Sequence, residues 1–94
     1  MSKKKEQHLS VQVLKSGTSI GANTEEAIGA SSRKDFKSKM DIAYQEARET
    51  RYWLRLLRDS QLLETKIANS LIADTEELLR ILGSIIKSTK ARNP

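Results

Sequence analysis

Between Ser32 and Ser60 apolar residues return with the period of an α-helix. Phe36, Met40, Ala43, Ala47, Thr50, Leu54 and Leu57 follow one another at alternating steps of four and three. That spacing sets them on one helical stripe, whereas a strand, with its period of two, does not produce it. A second, partly apolar stripe of Ile42, Glu46, Glu49, Trp53 and Leu56 runs beside the first. Nearer the C-terminus two neighbouring stripes are both largely apolar. One is Ile67, Leu71, Asp74, Leu78, Ile81 and Ile85, and the other is Ala68, Ile72, Thr75, Leu79, Leu82 and Ile86. A helix with so wide an apolar face must contact more than one neighbour. Upstream, Leu9, Val13, Ile20 and Ala27 share a helical face and predict a further helix from Glu6.

The pattern predicts helices over about 6–29, 33–59 and 64–90 within one helical-bundle domain spanning 6–90. A disordered basic tail is expected at 1–5 and a frayed end at 91–94. Ser32 is a good N-cap with Asp35 three residues on, an arrangement like a capping box. Asp59-Ser60-Gln61 is a connection short enough to bring back an antiparallel neighbour. Ser16 to Asn23 is the ambiguous stretch. Gly17 and Gly21 in a helix interior cost about 1 kcal/mol each relative to Ala, and the residues alone lean toward a loop. The other reading is a continuous helix in which Gly17 and Gly21, on one side, let a neighbouring backbone come close. Ser16, Thr18, Ser19 and Asn23 then bond to carbonyls or to each other.

Composition narrows the class. Ninety-four residues make one small domain, and four Gly and one Pro leave few interruptions. Scarce aromatics, and Val only at positions 11 and 13, favour an all-α chain. The absence of Cys excludes disulfides and thiolate chemistry. No apolar run follows the basic start, so no signal peptide is expected, and none approaches a membrane span. A cytoplasmic protein without membrane partners is the expectation. Fully burying one large apolar side chain is worth about 1.5–3 kcal/mol. Leaving both Trp53 and Leu56 in water is therefore costly, and self-association as a cyclic homo-oligomer is expected.

Charge adds a candidate surface. Seventeen Lys and Arg against twelve Asp and Glu give a net charge of +5. On the side of the central helix away from its seam, Lys34, Lys37, Arg48, Arg51, Arg55 and Arg58 form a basic row. Like charges one turn apart, as at Arg51 and Arg55, cost a helix about 0.2–0.5 kcal/mol. Such a row suits a nucleic-acid backbone followed without base specificity. It equally suits a solvated back, or arginines paired with acids such as Glu46, Glu49, Glu76 and Glu77 across subunits. Gly17-Thr18-Ser19-Ile20-Gly21 lacks the spacing and Lys of a nucleotide loop. Glu25, Glu26, Glu46 and Glu49 lack the Glu-x-x-His partners of a di-metal bundle, the sole His being His8. No catalytic residue, cofactor or metal is expected. The protein reads as non-enzymatic, with a scaffold binding an acidic partner as the alternative.

Specific strings then carry a resemblance. Leu14-Lys15-Ser16-Gly17-Thr18-Ser19-Ile20-Gly21-Ala22-Asn23, Glu25-Glu26-Ala27, Ser32-Arg33-Lys34-Asp35-Phe36, Ala43, Glu46-Ala47-Arg48-Glu49-Thr50 and Tyr52-Trp53-Leu54 are its residues. Over roughly residues 9–90 the chain resembles the four-helix-bundle family of 23S rRNA intervening-sequence proteins, also called S23 proteins. That family is related to the accessory protein of diversity-generating retroelements. The resemblance implies an all-α antiparallel up-down bundle, a homopentamer, and a positively charged surface for RNA or DNA. It implies no enzymatic activity, and it brings a nucleoprotein or reverse-transcriptase-like partner into view. It also places Ser16 to Asn23 within a helix, with Gly17, Gly21, Ile42, Trp53 and Leu56 as packing and oligomerisation positions. Two departures stand out. Thr24 replaces a frequent apolar residue, and the usual first helix is expected to be truncated, which leaves an inert remnant or a mis-started frame as further alternatives.

Overall fold

A computed structural model describes residues 3–91. These form three α-helices, α1 (Lys3–Ile28), α2 (Arg33–Asp59) and α3 (Thr65–Ala91), with no strand among the described residues. α1 begins at Lys3 rather than Glu6, so the helix takes in part of the stretch expected to be a disordered tail. The expectations for Met1, Ser2 and residues 92–94 fall outside the described residues.

α1 runs unbroken through Ser16 to Asn23, and its polar side chains show why. Ser16 Oγ donates to the Gln12 carbonyl at 2.9 Å, and Thr18 Oγ1 to that of Leu14 at 2.8 Å. Asn23 Nδ2 donates to the Ser19 carbonyl and Thr24 Oγ1 to that of Ile20, each at 2.8 Å. Groups that favour turns when they compete for backbone are here satisfied one turn back along their own helix.

α2 is bounded by local chemistry at both ends. Ser32, with an extended backbone, accepts the Asp35 N–H at 3.0 Å and so satisfies an otherwise orphaned donor. At the other end Gln61 adopts a φ of 62°, its N–H donates to the Arg58 carbonyl, and the Leu62 N–H donates to that of Leu57. That pair of bonds is a Schellman closure with Gln in the left-handed place usually held by Gly.

α2 is the middle helix. Ser16 against Thr50 and Lys39 against Glu26 set α1 antiparallel to it. Arg58 against Asn69 and Arg51 against Glu76 do the same for α3. α1 and α3 both pack on α2 and make no close backbone approach to each other. The core joins Ile20 and Ala27 of α1, Met40, Ala43 and Ala47 of α2, and Leu79 and Leu82 of α3. Ala43 and Ala47 are 0% exposed, small enough to let both neighbours come close.

Two expectations find no partner within the single subunit. Gly17 and Gly21 do not abut a neighbouring helix of the same subunit, since a Cβ at either would meet nothing within 4 Å. α1 buries Leu9, Ser16, Ile20 and Ala27, while Gly17 lies on the open trough it shares with Thr50 and Leu54 of α2. The wide face of α3 is also divided. Ala68, Ile72, Thr75, Leu79 and Leu82 are buried, whereas Ile67, Leu71 and Ile81 are 48%, 42% and 50% exposed. The uncovered stripe borders an open trough of about 230 Å³ between α1 and α3, lined among others by Val13, Gly17, Leu54, Leu71 and Leu78. Trp53 and Leu56 are half-buried, and Ile42 is exposed.

Because Ala47 sits where both neighbours converge, Ala47→Leu is expected to destabilise the protein by about 1–3 kcal/mol through overpacking. Urea unfolding followed by far-ultraviolet circular dichroism measures this, and an unchanged midpoint would mean that the α2 seam is not the packing axis.

Candidate nucleic-acid interface

The side of α2 turned away from the seam carries guanidinium groups because the seam leaves that face to solvent. Arg48, Arg51 and Arg55, with Gln45, Glu49 and Tyr52, line an open depression of about 340 Å³. Arg51 and Arg55 stand one turn apart and share a single counter-ion on the next helix. Arg51 Nη1 lies 3.6 Å and Arg55 Nη2 3.5 Å from the same oxygen of Glu76, Oε2. Arg48 is exposed and has no ion pair or hydrogen bond among the described residues. A second open depression, of about 510 Å³, adjoins the first through Arg51 and adds Arg80 of α3 beside Tyr44 and Gly83. Glu49, the other carboxylate at the rim, accepts a 3.1 Å bond from Trp53 Nε1. Cation therefore outweighs anion over this face.

The basic row of the sequence is only partly brought together. Arg58 turns toward the loop, donating to Asp59 at 3.0 Å and to Asn69 Oδ1 at 2.8 Å, so it leaves the row. Its two acceptors are the last residue of α2 and a residue in the first turns of α3. Lys37 is paired with Asp41 at 2.7 Å, and Lys34 is exposed without a partner among the described residues. Both stand some 16 Å or more along the helix from Arg48 and contribute charge at a distance. Arg51 and Arg55 pair with Glu76 within one subunit.

Sequence reasoning passed over Tyr52, Gln45 and Arg80. Tyr52 had a visible signal, a large aromatic one turn after Arg48 on an otherwise polar face. Arg80 had none, because its place beside Arg51 depends on the register of α3 against α2. Among the described residues no group of three or more His, Asp or Glu is placed to hold a metal. No helix among them is long and apolar enough to cross a membrane.

Fold and surface together define an all-helical protein with a cationic face mounted on its central helix. The chain belongs to the 23S rRNA-intervening sequence protein family, whose model matches residues 1–84. It is similar to a crystal structure of a protein of unknown function from the S23 ribosomal protein family of Bacteroides thetaiotaomicron VPI-5482. The two are 47% identical, with a TM-score of 0.85 over 90% of this chain and 79% of that one. No curated protein matches the chain.

Glu76 is the nearest counter-ion to the arginine pair, so Glu76→Gln is expected to raise the salt concentration that elutes the protein from heparin. Thermal stability should change little, since solvent-exposed ion pairs are worth about 0–1 kcal/mol. Elution at the unchanged salt concentration would show that Glu76 does not compete for these arginines.

Proposed function

We propose that this protein is a non-enzymatic nucleic-acid-binding module that grips the phosphate backbone of RNA or DNA. The grip is made by the α2 face on which Arg48, Arg51 and Arg55 converge. The observation that supports this most is the gathering of those guanidinium groups around one depression with Glu76 as the counter-ion of two of them. Guanidinium matches phosphate in bidentate geometry, and a positive face raises the encounter rate with polyanions. Side-chain contacts to phosphate position a protein on nucleic acid without reading its sequence. A reverse-transcriptase-like or other nucleoprotein partner would be met through the nucleic acid it carries.

The same reading includes self-association. Ile67, Leu71 and Ile81 are apolar surface that a single subunit does not cover, Gly17 shares a trough with Leu71, and Gly17 and Gly21 both leave α1 open to close approach. A further helix or a neighbouring copy laid along that trough would complete an up-down four-helix bundle, and copies would then form a cyclic homo-oligomer. The family resemblance favours a pentamer. An array of basic faces on one particle multiplies a weak single-face affinity.

A gel-shift series against salt tests the phosphate grip. Log affinity should fall linearly with log salt, with a slope of about 0.7–0.9 per contacted phosphate. Replacing Arg51 and Arg55 together with Glu should abolish the shift while helicity is retained, and a salt-insensitive shift would reject the backbone grip. Light scattering should return a mass well above the 10.6 kDa of one chain. Gly21→Leu should reduce that mass, and a clean monomer of the unaltered protein at micromolar concentration would end the oligomer reading.

A further inference from the structure

We infer that the arginine face takes single-stranded nucleic acid in preference to duplex, with Tyr52 as the platform on which one base stacks. This rests on the phosphate-binding reading above and adds to it the form of nucleic acid bound.

Tyr52 is 58% exposed, on the most polar side of α2. It lines the same depression as Arg48, one turn before it, and Arg55, one turn after it. The Trp53 ring meets it edge-on, with centroids 5.0 Å apart and planes at 69°. Trp53 is in turn fixed by its own bond to Glu49. A chain of Glu49, Trp53 and Tyr52 therefore holds an aromatic ring in water at the rim of a cationic depression.

A cationic track beside an exposed aromatic is the arrangement that binds single strands. Phosphates run along the cations, and each unpaired base offers a π-face to the ring whatever its identity. In a duplex the faces of the bases are covered by their neighbours in the stack, so Tyr52 has nothing to meet there. Arg48 and Arg55, flanking the ring, also suit cation–π contact with a base that extends past it. Nothing in the packing of the subunit requires the ring, since it lies outside the core.

Fluorescence anisotropy tests this at one fixed low salt concentration. The probes are an adenine-rich RNA strand of about twelve nucleotides, within the site sizes such grooves take, the matching DNA strand, an abasic oligomer of equal length and the duplex. The unaltered protein should bind either single strand more tightly than it binds the abasic oligomer and the duplex. Tyr52→Ala should weaken single-strand binding about tenfold, leaving the abasic oligomer and duplex unaffected, and Tyr52→Phe should restore it. Loss of all probes alike in Tyr52→Ala, or a change in the mass of the particle, would assign the ring to folding or a subunit contact and overturn the inference. Abasic binding that Arg51→Glu weakens, together with a Tyr52→Ala variant equal to the unaltered protein on the single strand, would remove the stacking and keep the phosphate grip. Failure of the unaltered protein to bind any probe would remove both.

Discussion

Everything in this molecule hangs on the seam of α2. Ala43 and Ala47 stand at its middle with no exposed surface, and their size lets one helix accept two neighbours at once. α1 and α3 are both held by that seam, with no close backbone approach to each other. Such an arrangement divides the molecule into two unlike sides. Above the seam lies the trough between α1 and α3, with apolar edges. Behind it lies the outward face of α2, which the core does not need and which carries charge.

A buried polar contact lies where the first two helices meet. Thr50 Oγ1 and Ser16 Oγ approach to 2.8 Å across the α1–α2 contact, and each also has a carbonyl acceptor on its own helix, Glu46 at 2.8 Å for Thr50 and Gln12 at 2.9 Å for Ser16. Both residues are buried, and each hydroxyl already has an acceptor one turn back on its own helix, so the contact adds one directional link among apolar contacts that have no direction. Stability comes chiefly from the alanine seam and the Ile and Leu residues on either side.

What was legible in the sequence was what repeats. The stripe from Phe36 to Leu57, the cap at Ser32 and the two stripes of α3 follow from spacing, and the structure places helices there. Ser16 to Asn23 was not legible from propensity, which counts two glycines and several turn formers. The bonds those side chains make one turn back along the helix do not enter such a count. The Schellman closure was hidden because Gln61 stands where Gly is the usual signal. At the arginine face, spacing along one helix placed Arg48, Arg51 and Arg55 together. It also swept in Arg58, whose surroundings are set by the turn and by Asn69. The contribution of α3, Glu76 and Arg80, depends on register between helices, which a wheel drawn for a single helix does not contain.

The arginine face adds little to the fold, and this bears on what the face is suited to. Arg51 and Arg55 repel at one-turn spacing, and Glu76 offsets that repulsion from 3.5–3.6 Å, longer than a well-formed charged hydrogen bond. At such distances, in contact with solvent, the carboxylate is a loose tether. It limits where the two side chains range, which lowers the ordering cost of binding, yet it leaves their donors short of good acceptors. Phosphate oxygens that approach to about 2.7–2.9 Å would outcompete it, and in the bidentate geometry that guanidinium favours. Arg48 has no tether among the described residues to give up. On the reading proposed here, Glu76 is a placeholder that keeps the pair aimed at the depression until a better anion arrives, and the core beneath need not move when it does.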